Sequence, residues 1–274
     1  MHRPTSVVKS SAPLWALLFV FGLGAPRAAH AAPLSVSIGP QLVDMPIRPG
    51  ASAEDAFSFS NDSDTPLAVT VSVVDFVADE AGRAVKKPAG TEPTSVARFI
   101  RISPVRARVE PHQRVYFRYK VKAPEEFTQL QGIVAFEAVP QVAGSAGKAR
   151  MVLVPVLGVP FYLENPAARP GTLKVDDLSV TRDGGNLKLS LRVTNEGQRN
   201  IRPTGFVRVR SAEGGFDTSY PFNDGREAVL PGAARVWTLT LGPVPGGALS
   251  IGVRFSNAPR TVFEKTLELP AAGH

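Results

Sequence analysis

Apolar and polar residues alternate along much of the chain from residue 34 onward. Leucine and valine occupy every second position of residues 67–73 and of residues 187–193, and most of the residues between them are polar. This period of two predicts strands with one buried face. Gly, Pro, Asn or Asp interrupts such runs every 8 to 12 residues, and no helical period is sustained. The pattern therefore predicts an all-β protein of the sandwich type.

The strand pattern occurs twice, which predicts two tandem domains. A segment with two prolines and a glycine separates the halves and cannot continue a strand. Each half has a strand that ends in an asparagine turn, at Asn61 and at Asn195, followed by further strands in the same order. We therefore predict sandwiches at residues 32–165 and 172–274, joined by a linker at residues 166–171.

The first 31 residues predict a secretory signal peptide. Arg3 and Lys9 precede an apolar stretch at residues 12–24, and small residues surround the expected cleavage site after Ala31. The apolar stretch is shorter than the roughly 20 residues that span a bilayer, and no later stretch is longer. We therefore expect a periplasmic or extracellular protein whose mature chain has no transmembrane segment.

The composition of the expected mature chain excludes several kinds of chemistry. The sequence has no cysteine, which rules out disulfides, thiol nucleophiles and thiolate metal sites. The net charge falls from +7 to +4 on removal of the first 31 residues, which carry three basic and no acidic residues. Only His112 and His274 remain of the four histidines. We therefore predict no catalytic site, no metal site and no cofactor, and export argues against a nucleic-acid partner.

Three further features are more typical of turn and core residues than of metal-binding or catalytic residues. The segment Asn61–Asp64 lacks the glycine and the distal glutamate of a calcium loop, so we predict a hairpin turn there. His112 follows a proline, which predicts an exposed turn residue, and a hydrolase built on this histidine is the weakest alternative. Trp237 alternates with leucines and is therefore predicted to be a core aromatic residue of the second sandwich.

Residues 151–163 are apolar on both faces, unlike a strand with one face in water. Pro155 and Pro160 cannot donate to a ladder, which favours an edge strand over a central strand. An apolar edge is suited to capture an extended segment of a partner protein. The alternative is burial by the neighbouring domain or in a homodimer contact. The residues predicted to bind the partner strand are Val152, Val154, Val156, Leu157, Val159 and Phe161.

The region from Arg98 to Lys122 has eight basic residues and one acidic residue. Basic residues occupy alternate positions of its last strand and therefore share one face. Such a row can attract an anionic glycan, a lipid head group or an acidic protein. The alternative is a solvated face whose like charges keep sheets from pairing. The residues predicted to bind an anion are Arg114, Arg118, Lys120 and Lys122.

The segment Phe99–Val115, with a Glu-Pro turn before a long strand, resembles the corresponding segment of periplasmic pilus chaperones. Residues 59–67 and Phe161–Leu163 are similar to that family's early strand pair and inter-domain strand. The resemblance implies two immunoglobulin-like domains and a chaperone function without catalysis. It also implies two basic residues that hold a subunit's C-terminal carboxylate between the domains. The corresponding positions here hold uncharged residues: Gln41, Leu42, Val159 and Pro160.

Two functional hypotheses follow from these features. The first is a non-enzymatic, exported, pilus-chaperone-like protein that binds secreted surface or pilus subunits by edge-strand pairing. The alternative is a cell-envelope or adhesive module that binds an anionic glycan or a surface protein through the basic strand face. The apolar run favours the first hypothesis, and the cationic row favours the second.

Overall fold

The computed structural model describes residues 34–141, 153–257 and 260–271. The predicted signal peptide and the first two residues of the apolar run, 151 and 152, lie outside these ranges. Within them the chain consists of strands, turns and loops, and it has no helix. The described part of the chain accordingly contains no helix long and apolar enough to cross a membrane.

Within residues 34–141 and 153–165, the first sandwich has ten strands in two sheets. One sheet has the order β1-β3-β8-β6, and the other has the order β2-β10-β9-β4-β5, with β7 also paired to β4. The pairing of β2 with β10 is parallel, and the other strand pairings are antiparallel. The strands are β1 (Val36–Gly39), β2 (Val43–Pro46), β3 (Ser52–Asn61), β4 (Leu67–Ala78), β5 (Ala84–Lys87), β6 (Ile100–Ser103), β7 (Arg106–Val109), β8 (Arg114–Lys122), β9 (Gln129–Pro140) and β10 (Val156–Glu164).

The described residues of the second sandwich form seven strands in two antiparallel sheets. One sheet has the order β11-β12-β15, and the other has the order β14-β13-β16-β17. The strands are β11 (Leu173–Asp183), β12 (Asn186–Asn195), β13 (Thr204–Ser211), β14 (Asp217–Asp224), β15 (Ala234–Leu241), β16 (Leu249–Asn257) and β17 (Arg260–Leu269).

The strand order defines the fold class. In the first sandwich, β1, β3, β8 and β6 take the A, B, E and D positions of the immunoglobulin fold, and β10, β9 and β4 take the G, F and C positions. In the second sandwich, β11, β12 and β15 take the A, B and E positions, and β17, β16 and β13 take the G, F and C positions. The prediction of an all-β chain with two tandem immunoglobulin-like sandwiches is therefore confirmed. The linker predicted at residues 166–171 lies between β10 and β11.

The alternation of apolar and polar residues explains why these segments form strands. Leucine and valine are buried at every second position over much of β4 and β12, and the residues between them face away from the cores. A strand with this pattern buries its apolar face against the opposite sheet of a sandwich. The strands predicted at residues 67–73 and 187–193 are therefore confirmed.

Each sandwich has its own apolar core. In the first core, the ring of Phe136 meets those of Phe57 and Phe117 edge to face, with centroids 5.5 and 5.4 Å apart. Such pairs contribute about 0.5–1.5 kcal/mol beyond the burial of their area. In the second core, Trp237 is 7% exposed and its ring lies 5.8 Å from that of Phe222. The prediction that Trp237 is a core residue is confirmed.

A buried asparagine organises the same corner of each sandwich. Asn61, at the end of β3, donates from Nδ2 to three main-chain carbonyls at 2.9 to 3.1 Å. Its Oδ1 accepts from the backbone N–H of Ser63 at 3.1 Å, which forms the predicted turn. Asn195, at the end of β12, donates from Nδ2 to the carbonyls of Arg199 and Val229 at 2.9 Å. The repeated asparagine turn thus has the same structural function in both halves.

An apolar cluster joins the two sandwiches. Phe76 and Tyr162 of the first sandwich pack with Leu230 of the second. The turn between β4 and β5 adds an ion pair between Glu80 Oε1 and the guanidinium of Arg192, with a separation of 2.7 Å. The chain therefore buries apolar surface between its sandwiches as well as within them.

Candidate functional site

Strand β10 contains most of the apolar run, and β9 pairs with its full length. All nine residues from Val156 to Glu164 face β9 in antiparallel register. On the other side, β2 pairs only with Phe161–Glu164. In the part of the chain that the structure describes, no strand pairs with the second side of residues 156–159. This half of β10 is therefore an open sheet edge. We call it, together with residues 153–155 that lead into it, the β10 edge.

The alternation of hydrogen bonds identifies the backbone groups that face the open side. The N–H of Ala138 donates to the carbonyl of Pro155 at 3.1 Å, so the odd-numbered residues of this strand bond to β9. The carbonyl of Glu164 accepts from the N–H of Ile47 at 2.9 Å, so the even-numbered residues face the other side. The groups directed to the open side are the N–H and the carbonyl of Val156 and of Gly158, because the same pattern directs the carbonyl of Pro160 to Val43 of β2.

The side chains at the β10 edge are apolar and accessible. Val154 and Val156 are 38% and 50% exposed, and Leu153 is 75% exposed. Leu157 is half-buried and packs against the first core from the opposite face of the strand. Three of the residues predicted to bind a partner strand, Val154, Val156 and Leu157, therefore lie together at the open edge.

The other predicted partner-binding residues are placed differently. Val159 and Phe161 are fully buried in the first core, and Phe161 also has a strand partner on each side. Because a partner would have to open the core to touch these side chains, we assign Val159 and Phe161 to the core instead of the partner surface. Val152 lies outside the described residues. The alternative interpretation of the apolar run, burial by the neighbouring domain, describes the covered half of the strand, where Tyr162 packs on Leu230.

A polar cluster lies where the covered half of β10 meets the second sandwich. The guanidinium of Arg202 pairs with Asp44 of β2 at 2.8 Å and lies 4.8 Å from the centroid of the Tyr162 ring. Glu164 Oε1 accepts from Nδ2 of Asn200 at 2.7 Å. No local sequence pattern indicates this cluster, because Asp44 and Arg202 are 158 residues apart.

The cluster makes the stability of the fold depend on the protonation of Glu164. Burial raises the pKa of its carboxyl group, and repulsion from Asp44 raises it further. A raised folded-state pKa gives stability that is complete below the unfolded-state pKa and is lost as the pH rises through the folded-state value. We therefore expect Glu164→Gln, which keeps an oxygen acceptor for Asn200, to raise the midpoint of thermal unfolding at neutral pH and to leave it unchanged near about pH 4. Circular dichroism melts at both pH values measure this, and an equal loss at both would contradict it.

The four predicted anion-binding residues share one exposed face of β8. Buried and exposed residues alternate along this strand, so the expected common face is confirmed. The ammonium of Lys120 pairs with Glu54 Oε1 at 2.7 Å, and Nε of Arg114 donates to Ser60 Oγ at 2.9 Å. The residues are Arg114, Arg118, Lys120 and Lys122. Their binding of an anion remains a prediction.

The described side chains that could serve in catalysis or metal binding are not grouped into a site. His112 lies in an exposed turn with a φ of 58°, and its Nε2 is 3.0 Å from Asp64 Oδ1. The prediction that it is an exposed turn residue is confirmed. Within residues 34–141, 153–257 and 260–271, no three or more His, Asp or Glu side chains are grouped so that they could hold a metal ion.

No family model and no curated protein matches the chain. Among solved structures, the E. coli chaperone DraB is 18% identical, with 86% of this chain and 98% of DraB covered and a TM-score of 0.41. A chain from the complex of the Salmonella enterica SafA pilin with the SafB chaperone is 18% identical, with coverages of 88% and 99% and a TM-score of 0.44. The YadV chaperone is 14% identical, with coverages of 85% and 99% and a TM-score of 0.46. The chain is therefore similar to chaperone structures, while its fold assignment rests on the strand order.

Proposed function

We propose that the chain is an exported assembly factor that binds an extended segment of a secreted subunit and catalyses no reaction. The bound segment becomes an additional strand at the β10 edge. One observation carries the proposal: within the described residues, the outward backbone groups of Val156 and Gly158 have no strand partner, and the side chains beside them are apolar and exposed. Backbone pairing supplies affinity in this mode of recognition, and side-chain contacts supply selectivity.

The β10 edge differs in charge from two other edge strands of the first sandwich. Residues 153–160 include no charged residue. By contrast, β5 ends in Lys86 and Lys87, and β6 contains Arg101. Charged residues on an edge oppose pairing with another chain, and the β10 edge lacks this protection. This difference supports a pairing function for the β10 edge in particular.

The length of the β10 edge limits the segment that it can bind. From Phe161 onward β2 already occupies the pairing positions, so an added strand ends where Val43 begins β2. The four unpaired residues 156–159 rise by about 3.3 Å each, which gives a pairing length of about 13 Å. The partner therefore contributes a short extended segment. We infer a β-rich secreted subunit as its source, the class of partner that the sequence resemblance implies.

Photocrosslinking tests this proposal. A photoreactive residue at Val154 is expected to capture a secreted subunit in near-equal amount to the chain when the cells are irradiated. The matched control carries the same residue at Val85 of β5, which is 43% exposed on another edge of the sandwich, and is expected to capture none. Crosslinks only to a second copy of the chain would assign the edge to a homodimer, and equal capture from both positions would contradict specific binding.

A further inference from the structure

A second surface lies on the outer face of the sheet β1-β3-β8-β6, away from the β10 edge. Arg101 of β6 faces Lys120 of β8 across the antiparallel ladder. Alternate residues of a strand lie about 6.8 Å apart, so the row from Arg118 through Lys120 to Lys122 extends about 14 Å. We call this surface the cationic face and define it by five residues: Arg101, Arg114, Arg118, Lys120 and Lys122.

Acidic groups neutralise only part of the cationic face. Glu54 of β3 lies opposite Lys120 and pairs with it at 2.7 Å. The bond from Lys120 lowers the pKa of Glu54, and the charge of Arg118 acts in the same direction. In the described ranges, neither Arg118 nor Lys122 forms an ion pair. The face therefore presents uncompensated positive charge to solvent.

Two open depressions lie side by side on the cationic face. The first has a volume of about 460 Å³ and is lined in part by Arg98, Arg101, Lys120, Lys122 and Glu125. The second has a volume of about 590 Å³ and is lined in part by Glu54, Asp55, Arg101, Tyr116, Arg118 and Lys120. Because both depressions include Arg101 and Lys120 in their linings, they adjoin each other along β8.

We propose that the cationic face binds an acidic polysaccharide that lies along β8. Its carboxylates pair with Arg118, Lys120 and Lys122, since arginine and lysine form charge-assisted hydrogen bonds with carboxylates. Its sugar rings occupy the two depressions. The ring of Tyr116, which is 59% exposed between the charges, provides an aromatic surface for the apolar face of a sugar. A linear polyanion engages the whole row, whereas a small anion engages one or two cations.

The two depressions in the cationic face favour a polysaccharide over a lipid surface as its ligand. Depressions of a few hundred Å³ are in the size range of sites that enclose a ligand, and a flat bilayer would span them without filling them. Peripheral binding to a bilayer is strengthened by apolar side chains that enter it. Among the described residues of this sheet, Tyr116 is the only large hydrophobic side chain that is exposed.

Binding of polygalacturonate, measured by titration calorimetry with neutral dextran as the polymer control, tests the proposal. We expect the full chain to bind polygalacturonate and not dextran, with an affinity that falls steeply as the salt concentration rises from about 0.05 to 0.5 M. Arg118→Ser combined with Lys122→Ser is expected to weaken binding about 10-fold, because each change removes a charge-assisted contact at an exposed position. The matched control, Lys188→Ser with Arg210→Ser, removes the same charge from exposed strand positions of the second sandwich and should bind as the parent does.

Several outcomes would overturn this assignment. Absence of polygalacturonate binding, or equal losses in the two double variants, would show that the cationic face is not the site. Binding that does not change with salt would exclude charge pairing as its cause. Binding to phosphatidylglycerol vesicles without binding to polygalacturonate would assign the face to a membrane surface instead. Unchanged thermal unfolding of both variants is the check that the fold is intact.

Discussion

Replacing Val154 and Val156 together with threonine is expected to weaken binding of the subunit captured at the β10 edge about 30-fold. Full burial of a valine side chain contributes about 1.5–3 kcal/mol. These two side chains are 38% and 50% exposed, so an added strand would bury the remaining part, or about 1 kcal/mol each. A loss of about 2 kcal/mol corresponds to about 30-fold in the dissociation constant. Affinity of the purified chain for the captured subunit measures the effect.

Threonine is chosen because it keeps the β-branched shape and the strand preference of valine. The fold of the double variant should therefore be unchanged in circular dichroism and thermal unfolding. The matched control replaces Val85 and Val105, two exposed valines elsewhere in the first sandwich, with threonine and should bind normally. If the control loses as much affinity as the β10 variant, or if neither loses any, apolar contact at this edge does not contribute to binding.

Asn61→Ala and Asn195→Ala are each expected to destabilise the fold by about 3 kcal/mol or more. Both side chains are fully buried, and each bonds to four main-chain groups that are buried or partly buried. Leaving one such group without a partner costs about 1–3 kcal/mol, and each alanine variant leaves several. Urea unfolding of the purified chain measures the loss, because the midpoint shifts in proportion to the free energy at constant slope.

A matched control separates burial from the mere loss of hydrogen bonds. Asn223 also forms two turn bonds, with the backbone N–H and carbonyl of Glu227, but both bonds are exposed. Its φ of 42° is accessible to glycine, so Asn223→Gly removes these bonds without backbone strain. We expect this variant to lose less than about 0.5 kcal/mol. A loss as large as that of the buried asparagines would show that burial does not set the penalty.

The effects of the two asparagine substitutions can also be assigned to separate sandwiches. Trp237 is in the second core and is the only tryptophan in the described ranges, so its fluorescence reports on the second sandwich. Asn195→Ala is expected to shift the tryptophan transition to lower urea concentration. Asn61→Ala should shift the transition measured by far-ultraviolet circular dichroism, to which the first sandwich contributes, more than the transition measured by tryptophan fluorescence. Equal shifts of both signals in both variants would mean that the two sandwiches unfold as one unit.

Local patterns in the sequence are sufficient to identify many strands and their faces. The alternation in residues 67–73 and 114–122 follows directly from the period of a strand, so it predicts both the strand and its exposed side chains. The asparagine turns at Asn61 and Asn195 are also local, because each side chain bonds to residues that follow within a few positions. These features need no knowledge of distant parts of the chain.

The pairing of distant segments cannot be predicted from such patterns. The run at residues 151–163 is apolar on both faces for reasons that differ along its length. Phe161 faces the first core, Tyr162 packs against the second sandwich, and Val156 is exposed. Only the parallel pairing of β2 with the end of β10 separates the covered half of the strand from the open half. That pairing joins residues far apart in sequence, and so the sequence analysis included Val159 and Phe161 in the partner-binding set.

The most direct test of strand addition is amide hydrogen exchange at β10, with and without the captured subunit. The N–H groups of Val156 and Gly158 face the open side, and those of Leu157 and Val159 bond to β9. Binding is predicted to slow exchange at Val156 and Gly158, while the amides of Leu157 and Val159 are protected in both states and serve as an internal control. Unchanged exchange at Val156 and Gly158 in a saturated complex would contradict the central claim, because the subunit would then be bound at another surface.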